Sequence, residues 1–156
     1  MAQKDLLELK KFLAPFPSEI QKKALWLRQF VWRLYPQTNE LIYDNYNALA
    51  FGWSPTDRVS HTFCSIAIGR TSLNVHFGFY WGSKIKDPDK KLLGAGNQYR
   101  YYLVNKTEEF PIEYITKLIN EAYNYSLTLV KDPKQLMQSK TIVKSISAAK
   151  RTKKKK

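Results

Sequence analysis

Apolar residues recur at helical spacing in two stretches near the N-terminus. In residues 4–14 leucine and phenylalanine return every three or four positions, which predicts a short amphipathic helix, and the proline-rich residues 15–17 end it. Ser18, followed three residues later by Gln21, is typical of a helix start. The second helix that this start predicts directs an apolar face at a core and ends before Pro36.

Between residues 40 and 104 apolar positions alternate with polar ones, as they do in β-strands. The clearest pair of strands is residues 63–68 and 73–79, which the turn of residues 69–71 joins into an antiparallel hairpin. Three further short strands are predicted at residues 41–43, 48–53 and 99–104.

A third helix is predicted from Thr107 to about Leu129. Thr107 can cap it, acidic residues follow at its positive end, and Pro111 is tolerated in its first turn. Residues 134–151 then place their apolar positions on one arc of a helical wheel and several cations on another. A fourth, docked helix and a free basic arm both fit that pattern.

This order of elements predicts an α+β protein. We expect an antiparallel sheet of about four to five strands, arranged as a meander, with N- and C-terminal helices covering one face. A chain of 156 residues has room for one main domain. The expected organisation is a short helix in residues 1–16, the α+β domain in residues 17–130, and a basic helix or tail, partly disordered, in residues 131–156.

Positive charge is concentrated at the C-terminus. The net charge is +13, and ten of the 26 Lys and Arg residues lie after residue 130, together with a single acidic residue, Asp132. Such a segment either associates with nucleic acid without sequence preference or is a solvated terminus, and both interpretations stay open. The candidate nucleic-acid-binding residues are Lys140, Lys144, Lys150, Arg151, Lys153, Lys154, Lys155 and Lys156.

The sequence favours a cytoplasmic location without a membrane span. No run of about 18 uncharged apolar residues occurs, and the first residues lack the pattern of a secretory signal. The single cysteine, Cys64, cannot form an internal disulfide, as expected in a reducing compartment. We expect a monomer or a homodimer.

Familiar catalytic and cofactor-binding motifs are missing from the sequence. It contains no GxSxG, HExxH, Walker or CxxC motif, so we expect neither enzymatic activity nor a cofactor. His61 and His76 are better explained as structural or surface residues, and Cys64 lies on the apolar face of its strand. Gly94 and Gly96 lack the third glycine and the following helix of a dinucleotide site, and therefore predict a tight turn before a strand.

Aromatic residues are more numerous than a small core needs, with four Trp, ten Tyr and eight Phe. They either fill the space between helices and sheet or line a groove, where a ring supplies apolar contact and a polar tip. We interpret the loops of residues 43–53 and 80–100 as the frame of a groove for a small molecule or a peptide, with Arg100 able to bind an anion. The candidate groove residues are Tyr43, Trp53, His76, Tyr80, Trp81, Gly94, Gly96 and Arg100.

The order and spacing of several short motifs resemble those of the YdhG-like family, which is bacterial and largely of unknown function. The resemblance covers roughly residues 17–129 and implies an antiparallel sheet flanked by helices. The matching motifs are Leu34-Tyr35-Pro36, Glu40-Leu41-Ile42-Tyr43, Asn74-Val75-His76-Phe77-Gly78-Phe79, Asp87-Pro88, Leu92-Leu93-Gly94-Ala95-Gly96 and Tyr99-Arg100-Tyr101.

Some members of that family are described as frataxin-like iron chaperones, so the resemblance also implies a metal-related alternative. Iron ions prefer carboxylate oxygens, and the weak candidates are Glu109, Glu113 and Glu121. We expect no other metal site. The sequence thus favours a non-enzymatic binding module, with nucleic-acid association through the tail and iron chaperoning as alternatives.

Overall fold

Six strands form one mixed sheet in the computed structural model of the protein, which describes residues 3–136 and 140–152. The strands are β1 (Asn39–Asp44), β2 (Ala48–Ser54), β3 (Cys64–Gly69), β4 (Val75–Phe79), β5 (Arg100–Val104) and β6 (Thr141–Ile146). Their order across the sheet is β5-β4-β3-β2-β1-β6. Consecutive strands from β1 to β5 pair antiparallel, and β6 runs parallel to β1.

Three α-helices cover one face of this sheet, namely α1 (Gln3–Leu13), α2 (Ser18–Leu34) and α3 (Ile112–Leu129). Leu27 of α2 and Ile119 of α3 are buried with Phe51 and Ile66 of the sheet in a single apolar core. Because successive strand residues point to opposite faces, the remaining strand side chains lie on the other face. None of the three described helices covers that open face.

The predicted α+β class is confirmed, and the predicted antiparallel arrangement holds for β1 to β5. The expected number of strands was too small, because β6 adds a parallel strand where a helix or a free arm was expected. Ile142 and Val143 are β-branched and favour an extended backbone, and Val143 also packs against the core. Pairing with β1 therefore outweighs the helical periodicity of residues 134–151.

The segment that follows β6 is attached to the same part of the molecule. The Ser147 amide donates to the Asp44 carbonyl at 2.8 Å, and the Arg151 amide donates to the Tyr46 carbonyl at 2.9 Å. The Lys150 ammonium lies 2.9 Å from the Asp44 carboxylate, which also pairs with Arg70 at 2.5 Å. Residues 141–151 are therefore part of the folded body, and the expected division at residue 130 does not separate a tail from a domain.

Two of the differences between predicted and observed element starts have a local explanation. The third helix begins at Ile112, and Thr107–Glu109 forms a separate 3₁₀ turn, because Pro111 immediately precedes the α-helical backbone. The strand expected from residue 73 begins at Val75, since Leu73 has a positive φ of 58° and still belongs to the turn.

Candidate functional site

Trp81, in the loop after β4, is held in a fixed orientation. Its indole N–H donates to the Ser60 carbonyl at 2.8 Å. The ring also makes edge contacts with Tyr80 and Tyr125, with centroid distances of 5.2 and 6.0 Å. These contacts within the protein fix the orientation of the half-buried indole ring.

A cavity of about 350 Å³ lies next to this indole, between the loop before β3 and the segment that follows α3. Its volume falls in the range of roughly 300–1,000 Å³ that small-molecule sites occupy. We call it the Trp81 cavity. Its lining residues are Arg58, Ser60, His61, Trp81, Leu129, Lys131, Asp132 and Gln135.

The charged groups of the Trp81 cavity are mostly basic. Arg58 and Lys131 are exposed cations, and Asp132 is the one acidic residue of the lining. The Asp132 carboxylate accepts a hydrogen bond from the Lys134 amide at 2.9 Å, so part of its acceptor capacity is already used. The cavity therefore suits an anionic group better than a cation.

His61 also lines this cavity, and its imidazole contacts the protein on both sides of it. Nδ1 lies 2.7 Å from the Thr56 hydroxyl, and the Leu129 backbone is close enough to act on the pKa of the ring. Burial and the nearby Arg58 charge lower the pKa of His61, which favours the neutral form. The imidazole therefore connects the loop before β3 with the end of α3.

Several other groove candidates lie on the open face of the sheet. His76 stacks on Tyr101 at 4.0 Å, and Tyr101 stacks on Tyr99 at 5.9 Å. Gly78 lies directly beneath Tyr99, where a Cβ atom would come within 2.1 Å of the Tyr99 hydroxyl. Burial raises the pKa of Tyr99 to about 12 and lowers that of His76. These rings pack on one another.

Tyr43 and Tyr80 approach each other near the same open face. Both burial and the Tyr80 hydroxyl raise the pKa of Tyr43. The Tyr43 hydroxyl is buried without a hydrogen-bond partner. Tyr80 also touches Trp81, so it connects the open face with the Trp81 cavity.

Trp53, also predicted for the groove, lies on the opposite face of the sheet. Its side chain is fully buried and packs edge-on against Phe51 and Trp32. In β2 it shares a face with Leu49 and Phe51, which point into the core. Alternation along the strand therefore places Trp53 beneath α2, away from any surface groove.

Gly94, Gly96 and Arg100 form a self-contained loop structure. The Arg100 guanidinium donates to the carbonyls of Gly96 and Tyr99, at 2.6 and 2.8 Å. Gly94 has a φ of 113°, a conformation that side chains disfavour. Arg100 thus fastens the glycine-containing loop to β5, and the structure does not bring these three residues into the Trp81 cavity.

The basic candidates near the C-terminus differ in how closely they are held to the folded body. Lys150 is bound to Asp44, Arg151 donates to the Asn47 side chain at 3.3 Å, and Lys144 donates to the Asp57 carbonyl at 2.9 Å. Lys140 and Lys144 are exposed. Residues 153–156, the last four lysines, lie outside the described residues.

The acidic candidates are spread along α3 and the turn before it. Glu113 and Glu121 are eight residues apart on one helix, which separates them by about 12 Å along its axis. Glu121 also accepts a hydrogen bond from the Lys86 amide at 3.0 Å. Residues 3–136 and 140–152 contain no group of three or more acidic, His or Cys residues that could hold a metal ion.

Arg58 and Lys131 were missed as site residues from the sequence. They are 73 positions apart in the chain, and each looks like an ordinary surface cation. Lys131 follows the predicted end of the third helix, whereas Arg58 lies in the middle of the segment between two predicted strands and gave no such signal. Their proximity depends on how α3 packs on the sheet.

Comparison of the chain with protein-family models, curated proteins and solved structures gave no match. The resemblance to the YdhG-like family stays a prediction. Among the helices that the structure describes, none has the length and apolar character needed to cross a membrane.

Proposed function

We propose that this protein is a non-enzymatic, cytoplasmic binding module, and that the Trp81 cavity takes a small organic anion with a planar apolar part. The observation that carries the proposal is the fixed Trp81 indole in one cavity with two exposed cations, Arg58 and Lys131. The indole and Leu129 offer apolar contact, while the cations favour a carboxylate, sulfonate or phosphate group.

Preorganisation supports binding at this cavity. Trp81 is held by the Ser60 carbonyl and by two neighbouring rings, so little side-chain freedom is lost when a planar ligand lies against it. A ligand that displaces water from the indole gains apolar burial without rearranging the core.

The chemistry of the lining supports binding rather than catalysis. The Nδ1 atom of His61 is bound to the Thr56 hydroxyl, and no hydrogen bond joins the His61 ring to the Ser60 hydroxyl among the described residues. Cys64, the single thiol of the chain, is fully buried in the core, and burial raises its pKa well above the usual value. Neither residue provides a nucleophile to this cavity.

The test is a titration with the fluorescent aromatic sulfonate 8-anilinonaphthalene-1-sulfonate. We expect Arg58→Glu to weaken its binding by about tenfold, because one partly exposed ion pair is replaced by a repulsion. Lys84→Glu is the matched control, since Lys84 is an exposed cation outside the cavity lining. Equal losses for the two variants would show that only the net charge matters and would overturn the proposal.

A further inference from the structure

A second cavity, of about 460 Å³, lies between α1 and α2 and shares no lining residue with the Trp81 cavity. Its wall is largely apolar and is built by Leu6 of α1 with Leu25 and Trp32 of α2. We call it the helix-pair cavity. Leu25 and Trp32 are seven residues apart, so they lie on the same side of α2, two turns apart.

Trp32 is a well-supported wall for this cavity. Its ring meets the buried Trp53 ring edge-on, with centroids 6.1 Å apart and planes at 84°. The Trp32 indole N–H is buried and has no hydrogen-bond acceptor. The Trp53 ring therefore supports the Trp32 side chain, which also lines the cavity.

All charged side chains that line the helix-pair cavity are basic, within the part of the chain that the structure describes. Arg28 is buried and forms a two-bond ion pair with Glu40, at 2.6 and 2.8 Å, so its charge is compensated. Lys10 and Arg33 are exposed at the cavity and have no such carboxylate partner in the lining. The uncompensated charge at the edge of this apolar cavity is positive.

We propose that the helix-pair cavity binds a free medium-chain carboxylic acid. Its acyl chain lies against Leu6, Leu25 and Trp32, and its carboxylate faces Lys10 and Arg33. The apolar wall and the cationic edge complement the two ends of such a molecule, and a neutral or cationic amphiphile matches only one of them. The proposal is independent of the Trp81 cavity, since the two linings share no residue.

The first experiment measures affinity against chain length for hexanoate, octanoate and decanoate, each kept below its micelle concentration. Burial of each added methylene is expected to raise affinity about fourfold. The Trp32 indole N–H signal, assigned with Trp32→Phe, is expected to shift on titration in NMR spectra. Decylamine is expected to bind at least tenfold more weakly than decanoate. Flat chain-length dependence, or an unmoved Trp32 signal, would overturn the proposal.

The second experiment separates the cavity from the general positive charge. Lys10→Glu with Arg33→Glu is expected to weaken decanoate binding at least tenfold. The control pair Lys22→Glu with Lys117→Glu changes the net charge equally at exposed positions outside the lining and is expected to bind as the parent does. Equal weakening in both pairs would contradict a site at the helix-pair cavity.

Two further arms identify the source of the ligand and the independence of the site. The protein is also tested with phosphatidylglycerol vesicles. If these bind through Lys10 and Arg33 while free decanoate does not bind, the cavity edge is a membrane-surface contact and the proposal is overturned. Arg58→Glu is expected to leave decanoate binding unchanged. A loss with that variant would show that the acid occupies the Trp81 cavity instead.

Discussion

At the scale of single residues, the buried ion pair of Arg28 and Glu40 places two charges inside the core, where each depends on the other for compensation. Glu40 is fully buried on β1 and also accepts a hydrogen bond from the Thr141 hydroxyl at 3.0 Å. Its carboxylate therefore joins α2, β1 and β6. Removal of one partner leaves the other charge buried without compensation, which is costly.

We expect Glu40→Gln to lower the free energy of unfolding by about 3–5 kcal/mol, because the Arg28 charge then stays buried without its counter-charge. Urea denaturation checks this value. Glu19→Gln, at an exposed position in the first turn of α2, is the control and is expected to change stability by less than about 0.5 kcal/mol. A Glu40 variant as stable as the control would show that the pair contributes nothing.

The two histidines make stability depend on pH. Burial lowers the pKa of both His61 and His76 from the ordinary 6.5, so the folded protein takes up their protons less readily than the unfolded chain. Their contribution to stability is therefore complete above about pH 6.5 and is lost as the pH falls through their folded-state pKa values.

We expect NMR titration of the imidazole protons to give pKa values below 6.5 for both histidines. The free energy of unfolding is expected to decrease between pH 7 and pH 5, and His76→Gln is expected to reduce that slope because it removes one of the two groups. A folded-state pKa above 6.5 for either ring would contradict the environment described for it.

The position of Trp53 was predicted wrongly from the sequence, because this residue lies in the core and not in a groove. Leu49, Phe51 and Trp53 alternate with small residues in β2, and in the structure they share its core-facing side. The aromatic surplus nevertheless led to a prediction of Trp53 and Tyr43 in one groove. The register of β1 and β2 excludes such a groove. Tyr43 pairs with Ala50 and Trp53 with Glu40, which puts the two rings on opposite faces of the sheet.

At the scale of elements, the local spacing of apolar residues was sufficient to predict the helices and the hairpin of β3 and β4. Helical periodicity placed α1 and α2 close to their observed bounds, because their apolar faces are formed within each segment. β6 was missed, because its partner β1 lies about 100 residues earlier in the chain. No local pattern in residues 141–146 reports such a parallel pairing.

We expect truncation after Val130 to lower the thermal midpoint by at least about 10 °C, because it removes β6 from the sheet and leaves Asp44 without Lys150. The matched control ends after Thr152 and keeps both. That shorter truncation is expected to change the midpoint by less than about 2 °C. Equal stability of the two truncated proteins, measured by circular dichroism, would show that β6 does not support the fold.

At the scale of the whole molecule, the net charge of +13 bears on the alternative of nucleic-acid association. Lys150 and Arg151 are bound to the folded body, so they are poor candidates for phosphate contacts. Lys144 also donates to the Asp57 carbonyl, so Lys140 and residues 153–156 are the remaining candidates. A truncation at residue 130 removes these cations together with β6, and therefore also removes part of the sheet.

For that alternative, we expect truncation after Thr152 to weaken binding to a duplex of random sequence and to reduce the dependence of affinity on salt. Loss of up to four phosphate contacts lowers the slope of log affinity against log salt by as much as about 3.6. Fluorescence anisotropy at several salt concentrations measures it. Unchanged affinity and slope would exclude residues 153–156 from the contact.

The proposed function is tested most directly by an NMR map of 8-anilinonaphthalene-1-sulfonate binding to the full chain. Binding in the Trp81 cavity predicts a saturable shift of the Trp81 indole N–H signal and of the backbone amides of Arg58 and Lys131. It also predicts that Arg58→Glu, but not Lys84→Glu, needs about tenfold more ligand to reach the same shifts. A Trp81 signal that stays in place while the probe binds elsewhere would contradict the assignment of the Trp81 cavity as the binding site.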